Sequence, residues 1–179
     1  MSPLVVPVPD GRPVLIVADT HSQPHRALAG HLERLQPAAV LHAGDIGDPA
    51  VLDRLAGHGP VVAVRGNIDG HALPDDHIVD LDFGGSHLRL LLTHIALNGP
   101  RLLPEPARTA RENGASLVVC GHSHVPFLGS DRGLAVFNPG SIGPKRFSLP
   151  ILFGTLTLED GAVRLRHWEA ESGRAWAPR

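Results

Sequence analysis

Cysteine is nearly absent from this 179-residue sequence: Cys120 stands alone, so no intramolecular disulfide can form and the chain suits a reducing compartment. Tyrosine is missing, and the 16 cationic residues are 15 arginines scattered along the chain plus the single Lys145. With five Phe and two Trp, the sequence offers neither the basic stripe nor the stacking platform of a dedicated nucleic-acid binder. No apolar run approaches the ~20 residues that span a bilayer, so no membrane is implied as a partner. Met1 to Pro13 has no positive flank before an apolar stretch of signal-peptide length, and its prolines break any helix there. These absences predict a cytoplasmic protein. Charged residues are 19% of the chain and the formal net charge is -2, which excludes a disordered polyelectrolyte. At roughly 150 residues per domain the length predicts one domain over residues 1–179. Its core is expected at about 13–168, with a loose tail from about Ser172.

Short apolar runs recur instead: Val14 to Ala18, Ala39 to Ala43, Val61 to Val64, Leu88 to Leu92 and Leu117 to Cys120. Their length and their Val, Ile and Leu content predict buried strands. Between them lie helical patterns. Pro24 to Gln36 places Ala27, Leu28, His31, Leu32 and Leu35 on one face, with Pro37 as a stop. A second helix is expected from a cap at Asp48 and Pro49 to Gly57, and a third from Leu102 to Asn113, ended by Gly114. Alternation of strand and helix through Val64 implies parallel pairing. Phe127 to Ser130, Leu134 to Asn138, Ile151 to Leu158 and Ala162 to Trp168, joined by turns such as Asp131-Arg132-Gly133 and Glu159-Asp160-Gly161, read as hairpin strands of a mixed or second sheet.

Polar residues follow every apolar run of the first group. The runs end in Asp19-Thr20-His21, in Gly44-Asp45, in Arg65-Gly66-Asn67-Ile68-Asp69, in Thr93-His94, and in Gly121-His122-Ser123-His124. Ligands of open α/β sheets bind beyond the carboxyl ends of the strands. One sheet edge would therefore receive Asp19, His21, Asp45, Asn67, His94, His122 and His124, all of metal-ligand type. A mixed nitrogen and oxygen set suits Mn, Fe, Zn, Ni or Co over Mg or Ca. Seven ligands exceed the needs of one ion and match two that share a carboxylate. Two divalent ions, two aspartates and a bridging hydroxide sum to about +1, so the site attracts anions; two metals ~3.5–4 Å apart generate a hydroxide nucleophile and clamp a phosphoryl group. Phosphoester hydrolysis of a small substrate is the leading chemistry, with Asp45, Asn67, His94 and His122 as catalytic candidates.

The ordered set Asp19-x-His21, Gly44-Asp45-x-x-Asp48, Gly66-Asn67-x-Asp69, His94 and Gly121-His122-x-His124 resembles that of the calcineurin-like metallophosphoesterases, above all their small single-domain phosphodiesterases of bacteria and archaea. The resemblance runs from about Val14 to Arg146 and takes in Asn138-Pro139-Gly140-Ser141. It implies a four-layer α/β/β/α sandwich of two mixed sheets flanked by helices. It also implies one ion, most often manganese, held by Asp19, His21, Asp45 and His124. A second would be held by Asp45, Asn67, His94 and His122, with Asp45 bridging. Two positions depart from the family pattern. Ile68 stands where many relatives carry a histidine able to protonate the leaving oxygen, which most disfavours monoesters with poor leaving groups; some small relatives carry cysteine there, so the departure points toward that diesterase-like branch. Ile95 stands where glycine is usual and restricts the backbone there. The same resemblance carries two rivals: a broad phosphomonoesterase or nucleotidase, and a protein-binding scaffold like the retromer subunit of this fold. Homo-oligomers are common in the family.

Other residues carry split expectations. Asp48 is either a helix cap or a support for the ligands, and Asp69 either orients a ligand histidine or stabilises its turn. The Asn138 to Ser141 segment is expected to support the metal loops more than to act on substrate. Arg65, Lys145 and Arg146 are candidates for phosphate oxygens, and His71 for substrate contact. His42, inside an apolar run, reads as a hydrogen-bonded core residue.

Overall fold

The computed structural model describes residues 2–9 and 11–177. In chain order these form β1 (Leu4–Pro7), β2 (Val14–Val17), α1 (Leu28–Leu35), β3 (Ala39–His42), α2 (Ala50–Ala56), β4 (Val61–Ala63), β5 (Asp76–Asp82), β6 (His87–Thr93), β7 (Leu97–Asn98), β8 (Arg101–Leu102), α3 (Pro104–Glu112), β9 (Leu117–Val119), β10 (Phe127–Asp131), β11 (Leu134–Asn138), β12 (Leu152–Glu159), β13 (Ala162–Glu169) and β14 (Ala175–Trp176). One six-stranded sheet has the order β14-β13-β12-β2-β3-β4, the other β1-β5-β6-β9-β11-β10, and β7 and β8 make a small hairpin.

The side-chain period of a strand explains the layers. Along β2, Val14 and Ile16 point into a cluster shared with Leu90, Leu92, Leu117, Val119 and Phe137 of the other sheet, which is the core between the sheets. Leu15 and Val17 point the opposite way, onto Leu28 and Leu32 of α1 and Val51 and Leu55 of α2. The second sheet repeats the device: Leu91 and Val118 turn away from the central core toward Ala107 and Ala110 of α3. Strands buried on both faces cannot alternate apolar with polar, hence the uninterrupted runs in the sequence. The result is the expected four-layer α/β/β/α sandwich of two mixed sheets.

Parallel pairs fix where the site lies. β2, β3 and β4 run parallel in one sheet, and β6 runs parallel to β9 in the other. Their carboxyl ends are followed by the five polar motifs.

Several boundaries differ from the sequence expectation. Residues 24–27 form a turn before α1, held where His25 N–H donates to Ile142 O at 2.7 Å and Leu28 N–H to His25 O at 2.9 Å. Gln36 ends α1 in a left-handed conformation, φ 45°. α3 starts two residues late, because Leu102 is taken by β8 and Pro104 begins the first turn. β1 and β5 were not foreseen as strands: β1 is a parallel edge strand on β5, and β5 itself is antiparallel to β6. Of the tail expected from Ser172, residues 172–177 are not loose, and residues 178–179 lie outside the described residues. The described part doubles back through a Gly173 turn so that β14 pairs with β13, and Trp176 lies edge-on to the buried His167 with ring centroids 5.8 Å apart.

Phe137 is fully buried, stacks on His167 at 4.6 Å, and occupies space left by Gly154, where a Cβ would stand 2.4 Å from the ring. Phe137→Ala should lower the unfolding free energy by about 3–5 kcal/mol. Urea denaturation with an unchanged m-value would establish that the loss lies in the folded core.

Candidate metal centre

Five of the seven predicted ligands have left-handed backbone: Asp19 (φ 56°), His21 (44°), Asp45 (54°), His122 (69°) and His124 (57°). Such conformations in non-glycine residues cost about 1–3 kcal/mol each and persist only where the surroundings enforce them. They turn each side chain sharply off its strand end toward a common point. Two glycines make the convergence sterically possible. A Cβ on Gly66 would stand 2.2 Å from both the amide nitrogen and Oδ1 of Asp45; one on Gly44 (φ 88°) would stand 2.6 Å from His94 Nδ1.

Asp19, His21, Asp45 and His124 form the tighter group, with ligand atoms all within 4.8 Å of one another. The two Nε2 atoms of His21 and His124 are 3.2 Å apart, and their rings stack at 5.1 Å. Asp45 Oδ2 lies 3.7 Å from His21 Nε2, and Asp19 Oδ1 lies 3.7 Å from His124 Nε2. Asp19 is fully buried; its Oδ1 accepts from His122 N–H at 3.2 Å, while its Oδ2 has no hydrogen-bond partner. Burial, reinforced by the Asp45 charge, pushes the Asp19 carboxyl up to about 8. Burial, with Arg146 and His21 nearby, pushes His124 down to about 4, and burial also lowers His21. The group thus holds two carboxylates beside imidazoles that resist protonation. A cation satisfies that whole donor set, including the orphaned Asp19 oxygen, whereas a proton on Asp19 satisfies that carboxyl alone.

The other three residues extend the site from Asp45. His94 Nδ1 lies 2.7 Å from the Ala43 carbonyl, which can only accept, so Nδ1 carries the hydrogen and Nε2 presents a lone pair. That lone pair faces Asn67 Oδ1 at 3.2 Å and Asp45 Oδ1 at 3.4 Å. Three electron-rich atoms therefore converge, an arrangement that a cation stabilises. Burial lowers the His94 pKa further. His122 is exposed, its ring edge-on to His94 at 5.2 Å. Asp45 stands between the two groups, with Oδ2 toward His21 and Oδ1 toward His94.

Residues around the ligands hold this shape. Asp69 touches no ligand histidine. Its carboxylate accepts from Ile46 N–H, Gly47 N–H and Gly66 N–H at 2.7–3.1 Å, clamping the loop after β3 to the loop after β4. Burial opposes its charge, but the three amide donors hold its carboxyl below the usual range. Asp48 Oδ1 accepts from Ala50 N–H at 2.9 Å and so caps α2. His42 is fully buried, 3.1 Å from Thr20 Oγ1, and burial pushes it down to about 4. Ser141 Oγ donates to Asp19 O at 3.0 Å, and Asn138 Nδ2 donates to Gly121 O at 2.7 Å, so the Asn138 to Ser141 segment braces two ligand loops. Arg65 pairs with Asp75 at the mouth of a groove of about 840 Å³ that begins at Asn67 and His94. Arg146 carries its charge beside Asp19, His21 and His124, whereas exposed His71 acts electrostatically on Asp75.

A double-sheet fold with a histidine and carboxylate cluster at the strand ends defines a metal-dependent phosphoesterase class, and sequence comparison agrees. The family model for the calcineurin-like phosphoesterase superfamily domain matches residues 13–161, and the chain belongs to that superfamily. It is 30% identical over 163 residues to the probable metallophosphoesterase YsnB of Bacillus subtilis, covering 87% of this chain and 90% of YsnB. It is 31% identical over 124 residues to a probable metallophosphoesterase of Methanocaldococcus jannaschii, covering 68% of this chain and 61% of that protein, so the match spans about three fifths of the archaeal relative. Among solved structures, Vps29 of Chaetomium thermophilum superposes with TM-score 0.72 at 18% identity, covering 92% of each chain. An archaeal phosphodiesterase superposes with TM-score 0.65 at 21% identity, covering 87% of this chain and 99% of that one. Among the described residues no helix is long and apolar enough to cross a membrane.

The raised Asp19 carboxyl makes a signed prediction. Below its ordinary value of 3.8 the group is protonated whether the chain is folded or not; between there and about 8 the unfolded chain ionises it and the metal-free fold resists. Stability of the metal-free protein therefore falls as pH rises through that window. Asp19→Asn in chelator-treated protein should raise Tm at about pH 7.5, by an amount that shrinks toward pH 4. Added Mn²⁺ should reverse the order, raising wild-type Tm more than that of the variant; thermal unfolding at both pH values decides it.

Proposed function

We propose that this protein is a cytoplasmic phosphodiesterase that works with two divalent ions, manganese foremost, with nickel, iron, zinc or cobalt as substitutes. The observation that carries the reading is Asp45, whose two carboxylate oxygens face two separate donor groups, one of Asp19, His21 and His124, the other of Asn67 and His94. His122, next to His94, completes the second group. Divalent ions supply Lewis acidity toward phosphate oxygens and toward water.

The chain's own residues do the positioning. The Ala43 carbonyl locks His94 into the tautomer whose Nε2 is free to ligate, and the Gly121 to His124 loop is fixed by Asn138. His122 is exposed at the mouth, where it meets a substrate oxygen, and Arg146 adds positive charge beside the first group for a phosphoryl oxygen. Ile68, whose N–H donates to Asp45 Oδ1 at 3.2 Å, brings no proton-transfer group to the position after Asn67. Leaving groups that need protonation are thereby disfavoured whichever ester carries them, so activated esters are the right probes, and the choice of diester over monoester rests on likeness of fold. The phosphodiesterase description of a solved structure of the same fold supports this choice.

The test uses chelator-stripped protein with Mn²⁺, Ni²⁺, Zn²⁺ or Mg²⁺ restored. Hydrolysis of bis(4-nitrophenyl) phosphate should return with about two ions per chain and exceed hydrolysis of 4-nitrophenyl phosphate. Asp45→Asn and His124→Ala should each reduce kcat/KM by about 100-fold or more with circular dichroism unchanged. A preference for the monoester would make it a phosphomonoesterase; no bound metal and no turnover would favour a scaffold role like that of Vps29, whose fold it shares.

A further inference from the structure

Among the described residues, the eight large apolar side chains most exposed to solvent are unevenly distributed. Leu4, Val5, Leu128 and Val163 lie on strands β1, β10 and β13. The other four each follow a site residue directly in the chain: Ile68 (52% exposed) after Asn67, Ile95 (39%) after His94, Val125 (45%) after His124, and Phe147 (69%) after Arg146. Consecutive Cα atoms are about 3.8 Å apart, so the backbone of Ile68, Ile95 and Val125 adjoins three residues of the metal centre, and that of Phe147 adjoins Arg146. Two are tied to the metal centre by measured contacts. Ile68 donates its amide to Asp45 Oδ1 at 3.2 Å, and Ile95 lines the groove that starts at Asn67 and His94.

All four are exposed and outside the three core clusters, so their apolar character is not used to build the buried core. Phe147 is held in a left-handed conformation, φ 58°, on an exposed loop, which adds backbone cost to an aromatic ring left in water. Apolar surface gathered around a polar, anion-attracting centre fits a ligand whose charged part is small and whose remainder is apolar. The groove beyond Ile95 continues the pattern with Leu103, Pro104 and Pro106 on the wall at the start of α3. Its charged groups are Asp75, Asp76 and Glu105 against Arg65, and Arg65 is paired to Asp75. Arg65 and Arg108 answer Asp75 and Glu105, and Asp76 adds a further negative charge, so the groove itself disfavours a second phosphate.

We infer that the substrate is an amphipathic phosphodiester with a single negative charge, its phosphoryl group at the metal ligands and an alkyl or aryl ester group against Ile68, Ile95, Val125 and Phe147. The inference rests on the phosphodiesterase reading above and names the substrate class of the same site.

A homologous series tests it: methyl, butyl and hexyl esters of 4-nitrophenyl phosphate, with one leaving group and a growing apolar arm, assayed on Mn²⁺-loaded full-length protein. The expected result is that kcat/KM for the hexyl ester exceeds that for the methyl ester by about tenfold or more. In Ile68→Ser/Ile95→Ser/Phe147→Ser the hexyl-to-methyl ratio should fall to within about twofold of unity. The single variants Ile68→Ser and Phe147→Ser, each exposed and outside the core, guard against misfolding of the triple. Hydrolysis of all three esters at equal rates overturns the inference while leaving the phosphodiesterase reading standing. A chain-length dependence that survives the substitutions also overturns it. Failure to hydrolyse any of the series, under conditions where two ions are bound, removes the phosphodiesterase reading itself.

Discussion

The structure turns on a repulsion. Asp19 and Asp45 are both buried at one edge of the sandwich, close to three imidazoles whose burial keeps them neutral, and Asp19 retains an oxygen with no hydrogen-bond donor. Two amide donors and the charge of Arg146 offset that concentration of lone pairs only in part, and the Asp19 carboxyl remains raised. Proteins place such groups together where a cation is to be bound, because desolvation and like charge then become binding energy for the ion. The surrounding architecture is arranged to keep the lone pairs in place. The Ala43 carbonyl selects the His94 tautomer, Asp69 ties two ligand loops together, and Asn138 and Ser141 brace two more.

The same constraint explains the backbone. Five ligand residues adopt left-handed conformations, and glycines stand where any side chain would strike Asp45 or His94. That strain is tolerable because the strands beneath are held by three apolar clusters and are buried on both faces. A rigid double sheet supplies the fixed points, and the loops beyond its strand ends supply the chemistry. Substrate preference then falls to residues one step further out, where Ile68, Ile95, Val125 and Phe147 replace polar surface with apolar surface.

Much of this was legible in the sequence, for identifiable reasons. Uninterrupted Val, Ile and Leu runs reported doubly covered strands, since burial on both faces leaves no polar alternation. The polar motif after each run reported which strand ends share an edge, since parallel strands send their carboxyl ends the same way. Asp19, His21, Asp45 and His124 lie with ligand-type atoms within 4.8 Å of one another, Asn67 and His94 meet beside Asp45, and His122 stands edge-on to His94. The strands β1 and β5 were not legible, because an edge strand of four residues beginning LVVP and the charged sequence DHIVDLD carry weak apolar patterns. Nor was the return of the tail onto β13, which depends on one turn at Gly173 and on Trp176 meeting His167 across the sheet edge.

Sequence alone determined the layer pattern, the ligand types and their order along the chain, because these follow from local composition and from the period of a strand. Tertiary structure alone decided how the ligands divide. Which oxygen of Asp45 faces which histidine, and that Asp69 clamps loops instead of orienting a ligand, depend on contacts between segments such as 46 and 69 or 21 and 124. Such contacts are set by the packing of two sheets against each other, and no local pattern in the chain encodes that geometry.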